Sequence, residues 1–159
     1  MSKKKADPDK ILIASNKKAR FHYEIFDVVE AGLSLKGPEV KSLRDSKARL
    51  EGAFARLEGS RVFLHHLYIA PYSHNTGEEI DPERTRPLLL HRKEIEKIRK
   101  GVDQKGLTVV ALELYFRKGW AKVAVALAKG KRGADKRDTL KRKAQSRELE
   151  RSFKGKFRV

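Results

Sequence analysis

The chain has 159 residues, 39% hydrophobic and 37% charged, with a formal net charge of +17 and no cysteine. That length holds one domain and one modest core, and the missing thiols exclude a disulfide framework, a thiol nucleophile and a thiolate metal site. No apolar run approaches transmembrane length, and a charge so large, repelling itself in the folded state, points to a polyanionic partner such as nucleic acid.

Residues 1–10 are polar, lack the apolar centre of a signal peptide and are expected to be disordered, which favours a cytoplasmic protein. Ile11-Leu12-Ile13 is the first apolar anchor. Ser15 or Asn16 is placed to cap a short basic helical turn, Lys17 to Arg20. Tyr23 to Leu35 alternates as a strand, with Gly32 marking a bulge or bend. Pro38 opens a short helix ending near Arg44. Its Val40 and Leu43 face inward together, while Lys41 and Arg44 form a small anion-facing platform. Ala53–Leu57 and Arg61–Ile69 read as two strands joined by a turn at Glu58-Gly59-Ser60.

Pro71 to Pro87 is a polar loop, longer than ordinary connections, after which Leu88-Leu89-Leu90 re-enters the core. His91 to Lys105 has helical spacing, with Ile95, Ile98 and Val102 as the inner stripe and Gly106 at the stop. Leu107–Phe116 and Trp120–Ala128 are the strongest strands, turning at Arg117-Lys118-Gly119. In the second, Ala121, Val123, Val125 and Leu127 alternate with Lys122, Ala124 and Ala126, a small-residue face on which another element can pack closely.

Many short strands with hairpins and only short helices predict a mainly β fold. The expected architecture is an OB-like antiparallel barrel over residues 11–128, closed so that it leaves no edge. Neither a βαβ period nor a glycine-rich phosphate loop is present, which disfavours nucleotide-binding α/β folds. Lys129-Gly130-Lys131-Arg132-Gly133 is too glycine-rich to continue the last strand and reads as a hinge. Residues 129–159 then form a basic C-terminal tail, with 13 Lys/Arg against 4 Asp/Glu. Its apolar residues, Leu140, Ala144, Leu149 and Phe153, are too few for a helix to persist alone in water. The tail is therefore expected to be disordered when free and helical along RNA.

Catalytic and metal chemistry find little support. His65 and His66, adjacent in a strand, would point to opposite faces, and His22, His74 and His91 have no ligand partner at motif spacing. Glu24, Glu30 and Glu39 lack a nucleophile or a carboxylate cluster beside them and read as solvated or ion-paired; Glu30 is the exception, since a carboxylate facing a base edge reads a donor group. Phe21, Tyr23, Phe26, Tyr68, Tyr72, Tyr115, Phe116 and Trp120 are core by default. Tyr23, next to Arg20 and His22, is also a candidate for base stacking.

Several motifs occur in order. They are Asn16-Lys17-Lys18-Ala19-Arg20, Glu30-Ala31-Gly32-Leu33, Gly37-Pro38-Glu39-Val40-Lys41-Ser42-Leu43-Arg44, Leu88-Leu89-Leu90-His91, Ala128-Lys129-Gly130-Lys131-Arg132 and Asp135-Lys136-Arg137. The set resembles the SsrA-binding (small protein B) family of bacterial trans-translation over roughly residues 11–150. The resemblance implies an OB-like barrel with short flanking helices, no enzymatic activity and no cofactor or metal. It implies binding to the tRNA-like domain of transfer-messenger RNA and delivery to stalled 70S ribosomes. Elongation factor Tu with the alanylated RNA is an implied partner, and the protein itself an implied monomer.

By that resemblance Asn16, Lys17, Arg20, Glu30 and Leu90 form the RNA face, joined by Tyr23, Lys41 and Arg44 on the arguments from stacking and charge. Lys129, Lys131, Arg132, Asp135, Lys136, Arg137, Lys141 and Arg142 form the hinge and the tail that enters the vacant messenger channel at the decoding centre. Pro87 stands where relatives carry Lys, and no Trp occurs around Ala144-Gln145. The competing reading is a general RNA chaperone or ribosome-associated protein with an OB-like barrel, which would bind many RNAs alike.

Overall fold

In a computed structural model of the chain, the described residues are 9–74, 77, 79–131, 137, 140, 141, 144, 145 and 147. The order is β1 (Lys10–Ser15), α1 (Lys17–His22), β2 (Tyr23–Leu33), α2 (Gly37–Arg44), β3 (Ala48–Arg49), β4 (Phe54–Glu58) and β5 (Arg61–His65). Then come β6 (Tyr68–Ile69), β7 (Arg86–Leu89), α3 (Arg92–Lys105), β8 (Thr108–Arg117) and β9 (Trp120–Gly130). Strands β8, β4, β5, β7, β2 and β9 pair antiparallel in a ring that closes between β9 and β8. The expected antiparallel barrel is therefore present. β1 pairs with the Glu113–Arg117 half of β8, and β4 with Val109 and Val110, so the two share one long edge. β3 and β6 form a separate two-stranded ribbon.

Period-two alternation builds the interior. Val29, Ala31 and Leu33 of β2 meet Val123, Val125 and Leu127 of β9, and Leu43 and Ile98 bring α2 and α3 into the same cluster. The other face of β8 and β9 carries a second, smaller cluster, where Ala19 of α1 packs on Val110, Leu112, Ala126 and Ala128. The small residues read from β9 do admit another element, and that element is α1. Among the described residues no helix is long and apolar enough to cross a membrane.

Six expectations change. Arg61–Ile69 is not one strand: His66 has φ of +63°, which ends β5 and sends β6 into the ribbon. His65 and His66 therefore do not face apart; both rings lie against Phe54, at 5.3 and 5.4 Å between centroids. The bulge in β2 falls between Ile25 and Asp27, at Phe26, rather than at Gly32. Gly32 stays in register with both Lys122 and Leu89, and a Cβ there would sit 3.1 Å from Leu89 Cβ. Of the three leucines after Pro87 only Leu88 is fully buried, because β7 alternates and turns Leu89 outward. Trp120 and Phe26 are exposed rather than core. Finally, β9 continues through Lys129 and Gly130, because β2 still offers Glu24 and Tyr23 as partners.

One device holds the long loop. The Glu39 carboxylate, 4% exposed, accepts from Arg84 at 2.5 and 3.0 Å, from Arg86 Nε at 2.6 Å and from the Lys36 amide at 2.9 Å. Arg86 is fully buried and also donates to the carbonyls of Leu67, Arg84 and Pro82. Burial pushes the Glu39 pKa up, but the bonds from Arg84, Lys36 and Arg86 outweigh it and hold the carboxyl below its ordinary value. The clamp fixes α2 against the segment that leads into β7.

Candidate nucleic-acid interface

Four of the RNA-face residues named from the sequence fall on two recesses, Asn16 and Tyr23 on one and Glu30 and Leu90 on the other, and β2 runs between them. At the first, Asn16 caps α1: its Oδ1 accepts from the Ala19 amide at 3.2 Å, while its Nδ2 donates to the Ala111 carbonyl at 3.1 Å. Its own amide donates to Leu112 O at 2.8 Å. These bonds pin the N-terminus of α1 to β8 and leave Lys17 and Arg20 exposed on the helix. Asn16 and Tyr23 line a cleft with Lys18, His22 and Lys131. Lys18 reaches across to Glu51 at 2.8 Å, which raises the ammonium pKa and lowers the carboxyl one.

The second recess holds Glu30 and Leu90 together with Arg61, His91, Trp120 and Lys122. Glu30 is not merely solvated. Tyr115 donates its hydroxyl to Glu30 Oε2 at 2.5 Å, and the Arg117 guanidinium bonds the same oxygen. Burial first, then the bond to Glu30, pushes the Tyr115 phenol well above its ordinary value, so it stays a donor. With Oε2 engaged twice, the carboxylate is held in one orientation and keeps Oε1 as an acceptor.

Lys41 and Arg44 lie on the exposed side of α2, which packs toward β6, and line neither recess. Lys41 Nζ sits 5.4 Å from the Tyr72 ring centroid. Lys129 and Lys131 belong to the barrel more than to a hinge: Lys129 pairs with Glu24, and Lys131 donates its amide to His22 O at 2.8 Å and its ammonium to Arg20 O at 3.2 Å. In the tail, Arg137 and Lys141 are helical and exposed, as are Leu140 and Ala144. Arg132, Asp135, Lys136 and Arg142 lie outside the described residues.

Sequence reasoning missed Trp120, Leu89, Arg61 and Lys122 as groove residues. A signal for Trp120 existed. It stands two places before Lys122 on β9, on the side opposite Val123 and Val125, and is 73% exposed. Among the described residues no group of three or more His, Asp or Glu is placed to hold a metal.

Residues 13–155 match the family model described as SmpB protein. An SsrA-binding protein of Elusimicrobium minutum is 46% identical, over 97% of this chain and 98% of its own. One from Aquifex aeolicus is 49% identical, over 95% and 98%. A solved structure described as "tmRNA-SmpB: a journey to the center of the bacterial ribosome" superposes with a TM-score of 0.63 at 46% identity, covering 79% of this chain and 92% of that one.

Proposed function

Since the chain belongs to the SmpB family of SsrA-binding proteins, we propose that it binds the tRNA-like domain of transfer-messenger RNA and delivers that RNA to stalled ribosomes. The match over residues 13–155 carries this reading, and the two recesses supply its chemistry. Lys17, Arg20 and the first cleft meet phosphates, with Tyr23 offered to a base. Glu30, held by Tyr115 and Arg117, accepts from a base or ribose donor, while Leu90 and Trp120 give the same groove an apolar wall. Lys41 and Arg44 extend the positive field from α2.

The barrel ends at Lys131 and the tail follows. Its cations, Arg132, Lys136, Arg137, Lys141 and Arg142 among them, lie along the empty messenger channel at the decoding centre, where the tail is ordered by phosphates. An intact downstream messenger occupies that channel, so the tail senses vacancy. The protein makes and breaks no bond and works in the cytoplasm as a monomer, with elongation factor Tu carrying the alanylated RNA. The test is a pull-down from bacterial lysate with sequencing of the bound RNA. One dominant RNA, transfer-messenger RNA, is the expected result; a broad mixture of structured RNAs would replace this reading with that of a general RNA chaperone.

A further inference from the structure

The charge of this chain is reversed in one region. Between Arg61 and Arg84 there is no Lys or Arg, although the chain holds 38, and four acids stand there: Glu78, Glu79, Asp81 and Glu83. Glu79, Asp81 and Glu83 are exposed. Glu79 lines a pocket of about 280 Å³ formed by α2, β6 and the long loop, whose apolar walls are Pro38, Ile69, Pro71, Tyr72, Ile80 and Pro82. Asp81 and Glu83 flank Pro82 in the sequence. The volume lies just below that of small-molecule sites, which begin at about 300 Å³, and suits one large side chain. Glu39 also reaches the pocket, but its carboxylate is spent on Arg84 and Arg86. Lys41 stands 5.4 Å from the Tyr72 ring centroid, so the aromatic wall already accepts a cation. Phosphate is repelled from such a surface, and a basic peptide segment with an apolar anchor complements it.

We propose that the occupant is the end of this chain's own tail, residues 153–159, which docks while the protein is off the ribosome, with Phe157 in the pocket and Lys156 and Arg158 against Glu79 and Asp81. Residues 151–159 carry four cations, two phenylalanines and no acid, and the messenger-channel reading gives them no task. They lie outside the described residues. Lys131 is fixed on α1, and 21 positions separate it from Phe153. That stretch spans about 32 Å as a helix and about 69 Å extended. A folded domain of this size is about 35 Å across, so the end of the tail reaches any face of the barrel. The tether holds the two groups at millimolar effective concentration, so a contact too weak to form between separate molecules forms within one. Docking sets cations of the tail against the acidic loop and withholds them from non-target RNA. The proposal goes beyond the channel role and stands without it, since pocket and occupant belong to one chain.

The chain has no cysteine, so Ser73→Cys, exposed beside Tyr72, carries a single spin label in the full-length protein. In the free protein at low salt the label is expected to reduce the amide NMR signals of residues 153–159 about twofold or more. High salt screens the charges and restores them. Glu79→Gln with Glu83→Gln, isosteric and at exposed positions, restores them as well, and so does Phe157→Ala, which changes no charge. Signals untouched by the label in the parent, or still reduced in either variant, would overturn the proposal. A mixture of spin-labelled chain with isotope-enriched, unlabelled chain tests the tether. Its signals stay intact, whereas loss there would give the pocket to a second copy and overturn the intramolecular contact. Trypsin supplies an independent measurement. Cleavage after Arg151 and Lys154 is expected to accelerate about threefold or more in Phe157→Ala, with the melting temperature of the barrel unchanged. Equal cleavage rates in parent and variant would also overturn the proposal.

Discussion

At the scale of single residues, Glu30 and Glu39 show how one side-chain type serves two purposes. Glu30 is half-buried and oriented by Tyr115 and Arg117. Glu30→Ala is expected to weaken transfer-messenger RNA binding by about 1–3 kcal/mol and to relax selectivity against an unrelated structured RNA. Competition binding reads both, and tighter binding to the two RNAs alike would show that the carboxylate only repels phosphate. Glu39 balances the buried Arg86. Glu39→Gln leaves that guanidinium without its counter-charge and is expected to cost about 3–5 kcal/mol, seen as a lower denaturant midpoint. The folded carboxyl titrates below its ordinary value of 4.5. Its contribution is therefore complete above that value and disappears as pH falls through the lower folded pKa. Melting temperatures measured from about pH 6 to about pH 3 should fall more steeply for the parent than for Glu39→Gln; parallel curves would mean the clamp does not set acid stability.

Among the elements, α1 and α2 divide the positive charge. α1 is fastened to β8 by Asn16 and by Ala19 against the small face of β9, so Lys17 and Arg20 are presented on a fixed base. Replacing both with Ala is expected to flatten the slope of log affinity against log salt by about 0.7–0.9 per cation. Lys41→Ala with Arg44→Ala should do the same if α2 shares the interface. A salt titration with an unchanged slope for that pair would confine the RNA to α1 and β2. The short helices were legible because their signals are local: Asn16 as a cap, Pro38 in the first turn, Gly106 after the last. The bulge at Phe26 was not, because it depends on how β2 meets a strand far along the chain, with Ile25 opposite Ala128 and Asp27 opposite Leu127, rather than on any residue near it.

For the whole molecule, the separation of barrel from tail is the main prediction. The structure moves the sensible cut from Ala128 to Lys131, since Lys129, Gly130 and Lys131 are bonded to β2 and α1. A chain ending at Lys131 is expected to fold and to bind isolated transfer-messenger RNA nearly as well as the full chain. It should fail to support peptidyl transfer to the alanylated RNA on ribosomes stalled at a messenger's 3′ end. Full rescue by the short chain would defeat the vacancy-sensing role, and lost RNA binding would defeat the division itself.

The amino-acid sequence alone determined the polyanionic partner, the antiparallel class, the hairpins and the basic tail. Net charge, period-two alternation and turn residues act over a few positions and do not need the fold to be read. The ordered motifs pointed further, to the family. Only the tertiary structure decided which faces are covered. Ring closure between β8 and β9 buries Val123 and Val125 and leaves Trp120 outside. It brings Tyr115 and Arg117 to Glu30 across 85 and 87 positions, and packs Glu39 on Arg86 across 47. Such pairings come from how strands are arranged around the barrel, and no local pattern encodes a partner so far along the chain.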